Sequence, residues 1–176
     1  MNNQDEIMMD LDLLSIQNIL NETGLKTTLL EKSDLIRLST LGVEIDPDES
    51  NRKRSIYMSF IPLPEEVFDN IKLLQFHTEM PFHGLKESQA GLEALFNFIN
   101  VNSPIGSFGL NDDYKISVRY VHSMDKFQSL SETGSLILEL LKFLIFTIDT
   151  YSDPVELVAN SVKGADDVIK GLREML

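Results

Sequence analysis

Cysteine and tryptophan are absent from this sequence of 176 residues, and histidine occurs only three times. Without cysteine, the chain can form no disulfide, no thiolate metal site and no cysteine nucleophile. Basic residues are also few: 15 lysines and arginines stand against 28 aspartates and glutamates, which gives a net charge of −13 at pH 7. Because a surface of this charge repels phosphate groups, the composition argues against binding to nucleic acid or to an anionic membrane.

Long apolar runs are missing as well. The longest apolar stretch, 136–148, is interrupted by charged residues and is too short to span a bilayer. The first twelve residues are acidic and contain no base, whereas a secretory signal begins with positive charge, so we expect a cytoplasmic protein. The length and a hydrophobic content of 43% predict a single domain over 1–176, with a flexible acidic segment over 1–10.

Hydrophobic periodicity, turn residues and capping patterns predict the order of the secondary-structure elements. They predict helices over 13–23, 86–101, 130–151 and 155–176 and strands over 25–30, 35–45, 55–62, 71–80, 105–110 and 114–120. The strand over 114–120 has the clearest alternation, and Asp153 followed by Pro154 predicts a helix break. The order α-β-β-β(-β)-α-β-β-α-α indicates an α+β fold with an antiparallel sheet of about five to six strands packed with helices.

The C-terminal helices contain more apolar surface than one sheet can cover. The helix over 130–151 is apolar on nearly all sides, so most of its circumference needs a partner. In the helical extension over 154–176, apolar residues recur at alternating spacings of three and four, which is typical of a seam against one other helix. Either the extension folds back over the preceding helix, or these helices form a homodimer contact. The candidate interface residues are Leu140, Phe143, Leu144, Phe146, Val158, Val162, Ile169 and Leu172.

Few residues suggest chemistry, and no motif predicts a cofactor or an enzymatic activity. His77 and Glu79 share one face of a predicted strand, and with His83 in the following turn they form a candidate metal cluster. A solvated histidine on the sheet face is the favoured interpretation of His77, and a structural role is predicted for His122. The bases at 52–54 follow acids in a loop over 46–54. That loop is predicted to be a solvated hairpin tip rather than a nucleic-acid site.

One stretch of the sequence resembles a known family. An amphipathic helix containing Leu95-Phe96-Asn97 is followed by Asn102-Ser103-Pro104-Ile105-Gly106-Ser107-Phe108 and by a hairpin ending in Arg119-Tyr120, while an earlier strand closes with Pro62-Leu63-Pro64. Over 13–151 the chain resembles the YbjN-like proteins, which share the fold of type III secretion chaperones. The resemblance implies a small acidic α+β protein, often a homodimer, that binds other proteins and performs no catalysis.

The leading hypothesis is therefore a cytoplasmic, non-enzymatic interaction protein that holds a segment of a partner against apolar surface of the sheet or helices. Tyr57, Ile61 and Leu73 are the candidate partner-binding residues. The alternative is a regulatory module that acts through homodimerisation of its C-terminal helices. A third, less favoured hypothesis is a small enzyme or metal-binding protein.

Overall fold

The fold is taken from a computed structural model, which describes residues 3–34, 36–64 and 67–175. In chain order, the elements are α1 (Asn3–Glu22), β1 (Lys26–Leu30), β2 (Thr40–Ile45), β3 (Arg54–Ile61), β4 (Ile71–His83), a 3₁₀ turn (Lys86–Ser88), α2 (Gln89–Asn102), β5 (Ser107–Leu110), β6 (Lys115–Asp125), α3 (Leu130–Ala159) and α4 (Ala165–Met175). The predicted order of helices and strands is confirmed.

The strands form one six-stranded sheet in the order β1-β2-β3-β4-β6-β5, and every neighbouring pair is antiparallel. This confirms the predicted α+β fold. β2 begins at Thr40 rather than at 35, because Ser33 and Ile36 exchange backbone hydrogen bonds of 2.9 and 3.2 Å and form a turn instead. Residue 35 lies outside the described part of the chain.

Alternate residues of the strands build the core. Met58, Phe76 and Val118, on the adjacent strands β3, β4 and β6, are fully buried. The intervening residues point to the opposite side of the sheet, called here the outer face, where most side chains are half-buried or exposed. One face of the sheet is thus committed to the core, and the other is available to water or to a partner.

The edge of the sheet at β5 is closed by a side chain of α2. The Asn100 side-chain amide donates to the carbonyl oxygen of Phe108 at 3.1 Å, and its Oδ1 accepts from the Phe108 N–H at 2.8 Å. The amide therefore pairs with this strand as a neighbouring backbone would. At the other edge, β1 pairs only with β2 among the described residues.

The first helix is longer than its sequence pattern predicts. It begins at Asn3 rather than at 13, so residues 3–10, for which a flexible acidic segment is predicted, are helical in the structure. The α1 residues Leu13, Ile16 and Leu20 are buried in the core. The prediction of its start was wrong because Asp10 and Asp12 resemble capping residues but lie inside the helix.

The predicted break at Pro154 is also wrong. α3 continues through Pro154 to Ala159, although proline cannot donate the backbone hydrogen bond of a helix interior. Tyr151 and Val155, on either side of the proline, are buried in the core, and their packing stabilises the continuous helix.

The helix ends instead in a Schellman motif. Ser161 adopts a left-handed conformation with φ 55°, its N–H donates to the carbonyl of Val158 at 3.0 Å, and the N–H of Val162 donates to the carbonyl of Leu157 at 2.9 Å. The predicted single helix over 155–176 is therefore the end of α3, a turn and α4.

α4 packs mainly against α2. The Arg173 guanidinium lies 5.6 Å from the ring centroid of Phe98, and a Cβ atom on Gly91 of α2 would lie 3.3 Å from Val158 and 3.5 Å from Ala165. The absence of a side chain at Gly91 thus lets α2 approach the end of α3 and the start of α4. Because α4 lies on α2, it leaves one flank of α3 exposed.

The loop between β2 and β3 is an anchor rather than the predicted solvated tip. Arg52, whose side chain is 13% exposed, contacts the carboxylates of Asp48 at 2.6 Å, Asp153 at 2.5 Å and Glu156 at 2.6 Å, and Arg54 contacts Asp149. Burial alone would raise the pKa of Asp48, but hydrogen bonds from the Arg52 backbone and side chain hold this pKa below its usual value. The loop is therefore attached to α3 by charge-assisted hydrogen bonds.

Candidate protein-binding surfaces

Exposed apolar side chains are concentrated on two helices. On α3, Leu136, Phe143 and Phe146 are 45%, 40% and 64% exposed. On α1, the exposed large apolar residues are Ile7, Met8, Leu11 and Leu14. Scattered apolar residues are normal on a protein surface, whereas rows at helical spacing are typical of contacts with another protein.

The row on α3 consists of Leu136, Leu140, Phe143 and Phe146 and is called here the α3 surface. Spacings of four and three residues place the first three on one flank of the helix. The ring centroids of Phe143 and Phe146 are 6.5 Å apart.

The charged groups next to this row balance each other. Glu139 and Lys142 form an exposed ion pair of 2.8 Å on the same helix. The α3 surface therefore lies in a locally neutral part of a strongly acidic chain.

The α3 surface continues into a groove between α3, α4 and the turn that follows α2. The groove has a volume of about 280 Å³. It is lined by Asn102, Ser103, Pro104, Phe143, Phe146, Thr147, Thr150, Tyr151, Leu172 and Met175. Most of this lining is apolar, so the groove can accept an apolar side chain of a partner.

The structure separates the predicted interface residues into two groups. Phe143 and Phe146 are exposed on α3, Leu140 is half-buried beside them, and Val162 is exposed in the turn before α4. The others lie in or against the chain's own core: Leu144, Val158 and Leu172 are buried, and Ile169 is partly buried. A partner can reach the first group without unfolding the chain.

The predicted partner-binding residues share the outer face of the sheet. Ile61 and Leu73 lie directly opposite each other on β3 and β4 and are half-buried. Tyr57, on the same face of β3, is 40% exposed, and a Cβ atom on Gly42 of β2 would lie 3.4 Å from its ring. The Tyr57 ring therefore covers the position where Gly42 has no side chain.

A wide cleft of about 870 Å³ lies at one corner of the outer face. Its lining includes Tyr57, His77 and Glu79 together with Lys26 and Lys53. The cleft is open and mixed in charge, so its chemistry does not select one class of ligand.

The predicted position of His77 and Glu79 on one face is confirmed by the alternation of β4. Burial lowers the pKa of His77, and the nearby Arg119 adds to this effect although Glu79 opposes it. His83 lies beyond an irregularity in the strand pairing, opposite Lys115, which contacts Glu79 at 3.5 Å. Among the described residues, no three histidine, aspartate or glutamate side chains are placed to hold a metal ion.

His122 lies at the inner side of β6, with its ring stacked on Tyr120 at a centroid distance of 6.4 Å. Burial lowers the pKa of His122. Burial thus disfavours the charged form of the ring, and the structural role remains a prediction.

No model of a protein family matches this chain, and a search of curated proteins finds no match either. No helix within the described ranges has the length and apolar character needed to cross a membrane.

One feature of these surfaces was missed in the sequence analysis. The exposed row on α1 repeats at positions 7, 11 and 14, and this spacing is visible in the sequence once the helix is known to begin at Asn3. This row does not stand out in the sequence because the buried side of the same helix is apolar too, so apolar residues occur all round the helix.

Proposed function

We propose that this protein acts in the cytoplasm by binding other proteins and performs no catalysis. The observation that supports this proposal is the presence of two helices with rows of large exposed apolar side chains, on a chain whose net charge is −13. Exposed apolar surface of this kind is costly for solubility, and it persists in proteins that use it for association. The resemblance to the YbjN-like proteins supports the same function.

In this proposal, the outer face of the sheet holds a segment of a partner protein on Tyr57, Ile61 and Leu73. Apolar residues that lie among polar ones on a sheet face provide anchor points for alternate side chains of an extended segment. Copurification from the native host tests this hypothesis. A partner identified by mass spectrometry should be retained by Ser117→Ala, on the same face, and lost with Leu73→Ser. Copurification that Leu73→Ser leaves unchanged, or a reproducibly solitary protein, contradicts it.

A second candidate function is regulation through homodimerisation on the α3 surface. The neutral pair Glu139–Lys142 favours a second copy here, because two chains of net charge −13 repel each other least where their local charges balance. A two-fold antiparallel pairing of α3 would place Glu139 of one copy near Lys142 of the other and bring the two α3 surfaces together.

Light-scattering mass tests the homodimer. The wild-type protein should have twice the chain mass of 20.0 kDa, and Phe143→Asp should return it to one chain mass. Phe127→Asp is the matched control, because Phe127 is 77% exposed and lies outside the helices. A wild-type monomer would overturn the homodimer proposal, as would a dimer that Phe143→Asp leaves intact.

A further inference from the structure

The outward side of α1 carries a row of apolar side chains opposite the core. Ile7, Leu11 and Leu14 are 54%, 51% and 40% exposed and are called here the α1 outer row. On the other side of the same helix, Leu13, Ile16 and Leu20 are buried. A helix that covers a core normally has a polar solvent side, so this second row is not needed for the fold.

The spacing of the α1 outer row is that of a helix–helix seam. Its residues are separated by four and then three positions, and the next position of the same repeat is Asn18, which is exposed. A seam of apolar residues ending in asparagine is typical of a contact with one partner helix whose register is fixed by the polar residue. From Ile7 to Asn18 the seam runs for about 17 Å, which matches a partner helix of about three to four turns.

The charge of α1 selects the kind of helix. Residues 3–22 contain no lysine or arginine. Two of the acids are already paired, Glu6 with Lys32 and Asp12 with Lys72. Within the described residues Asp10 forms no ion pair, and it lies beside the α1 outer row. A partner with cations next to its apolar stripe would complement this surface, whereas a second copy of α1 would bring acids against acids.

We propose that the α1 outer row is a docking site for a basic amphipathic helix of a partner protein. Leucine-like side chains of that helix would lie between Ile7, Leu11 and Leu14, and lysines or arginines beside them would pair with the acids flanking the row. This proposal rests on the proposed protein-binding function and names a class of partner for it. It uses a different helix from the α3 surface.

The test uses two synthetic peptides and the full-length protein. Each labelled peptide has about 14 residues, with leucine at the seam positions; one has lysine beside the leucines, and the other has glutamate. Fluorescence anisotropy is measured at about 150 mM NaCl, so that unspecific attraction between peptide and protein is screened. The lysine peptide should bind, and the glutamate peptide should bind at least about tenfold more weakly.

Substitutions in the protein locate the binding. Leu11→Asp should weaken binding of the lysine peptide by at least about tenfold, and Leu11→Ser serves as a second variant if the first fails to fold. Asp10→Lys should weaken the lysine peptide and strengthen the glutamate peptide. Phe127→Asp, which places the same charge elsewhere, should leave the affinity unchanged.

Three results of the peptide measurements would overturn the proposal. The lysine peptide fails to bind at concentrations up to about 100 μM, both peptides bind equally well, or Leu11→Asp leaves binding of the lysine peptide unchanged. A homodimer that is lost with Leu11→Asp and not with Phe143→Asp would assign the row to a second copy instead. Copurification with the Leu73→Ser variant does not depend on the peptides, so failure of this proposal and failure of the proposed protein-binding function are distinguishable.

Discussion

Replacing Arg52 with methionine should destabilise the fold strongly, although the residue lies in a loop. Its side chain is 13% exposed and contacts Asp48, whose side chain is 8% exposed, together with the more exposed Asp153 and Glu156. Removing one partner of a buried ion pair costs about 3–5 kcal/mol, and exposed pairs contribute about 0–1 kcal/mol each. Because only Asp48 is deeply buried, we expect a loss at the low end, about 3 kcal/mol.

Urea unfolding at neutral pH measures this loss as a difference in the free energy of unfolding. Lys53→Met is the matched control, because Lys53 is exposed on the same loop, and it should change stability by less than about 0.5 kcal/mol. Adding Asp48→Asn to Arg52→Met should recover part of the loss, since the buried carboxylate without a cation is then gone. A loss below about 1 kcal/mol for Arg52→Met would refute the reasoning, because it would mean that the loop is not anchored.

The same substitution should change the response to acid. The pKa of Asp48 in the folded protein is below its usual value, so its contribution to stability is present above the unfolded pKa of about 3.9 and is lost as the pH falls through the folded pKa. In Arg52→Met, the backbone N–H of residue 52 still donates to Asp48, but the side-chain hydrogen bond and the charge of Arg52 are lost, so the pKa of Asp48 is lowered less and this contribution becomes smaller. The variant should therefore lose less further stability than the wild type on acidification below about pH 4.

Other perturbations test the histidines, the sheet edge and the continuous α3 helix. The fold lowers the pKa values of His77 and His122, so their contribution to stability should be full above the unfolded pKa of about 6.5 and be lost as the pH falls below it. In urea unfolding, a variant with glutamine at both positions should therefore lose less stability on acidification than the wild type. An equal loss in the two proteins contradicts this. Asn100→Ala leaves the N–H and the carbonyl of Phe108 without their partner and should lower the free energy of unfolding by about 1–3 kcal/mol. Amide hydrogen exchange at Phe108 should become faster, and an unchanged exchange rate argues against the closure of this edge by Asn100. Pro154→Ala should raise the free energy of unfolding by about 1 kcal/mol, because the helix regains a backbone hydrogen bond, and a lower melting temperature would count against this account.

The fold class and the order of the elements could be predicted because they depend on short-range patterns. In β6, the alternation of Ile116 and Val118 with polar residues specifies a strand with one buried face, and the structure buries both. The ends of the helices could not be predicted in the same way. Pro154 ends a helix only if nothing nearby stabilises it, and Tyr151 and Val155 do so through packing that no local pattern reveals.

The candidate surfaces could be predicted only in part. Apolar periodicity indicates that α3 needs partners on several sides, but it does not say which partners the fold supplies, so Leu144 and Phe143 looked equivalent although one is buried and the other exposed. The role of Arg52 was hidden because two of its three partners, Asp153 and Glu156, lie about a hundred positions away in the chain. Contacts of that separation come from the topology of the fold.

The asymmetry between the two edges of the sheet limits how copies of this chain can polymerise. The side-chain amide of Asn100 occupies the β5 edge at Phe108, whereas within the described residues β1 pairs with no strand except β2, so we expect a further strand to be added at β1. In a dimer joined through β1, both β1 edges would be paired. The two β5 edges, each covered by Asn100, would then be the outer edges of the joined sheet. Growth by strand pairing would therefore stop at two chains, and an amyloid-like stack would first require α2 to separate from β5.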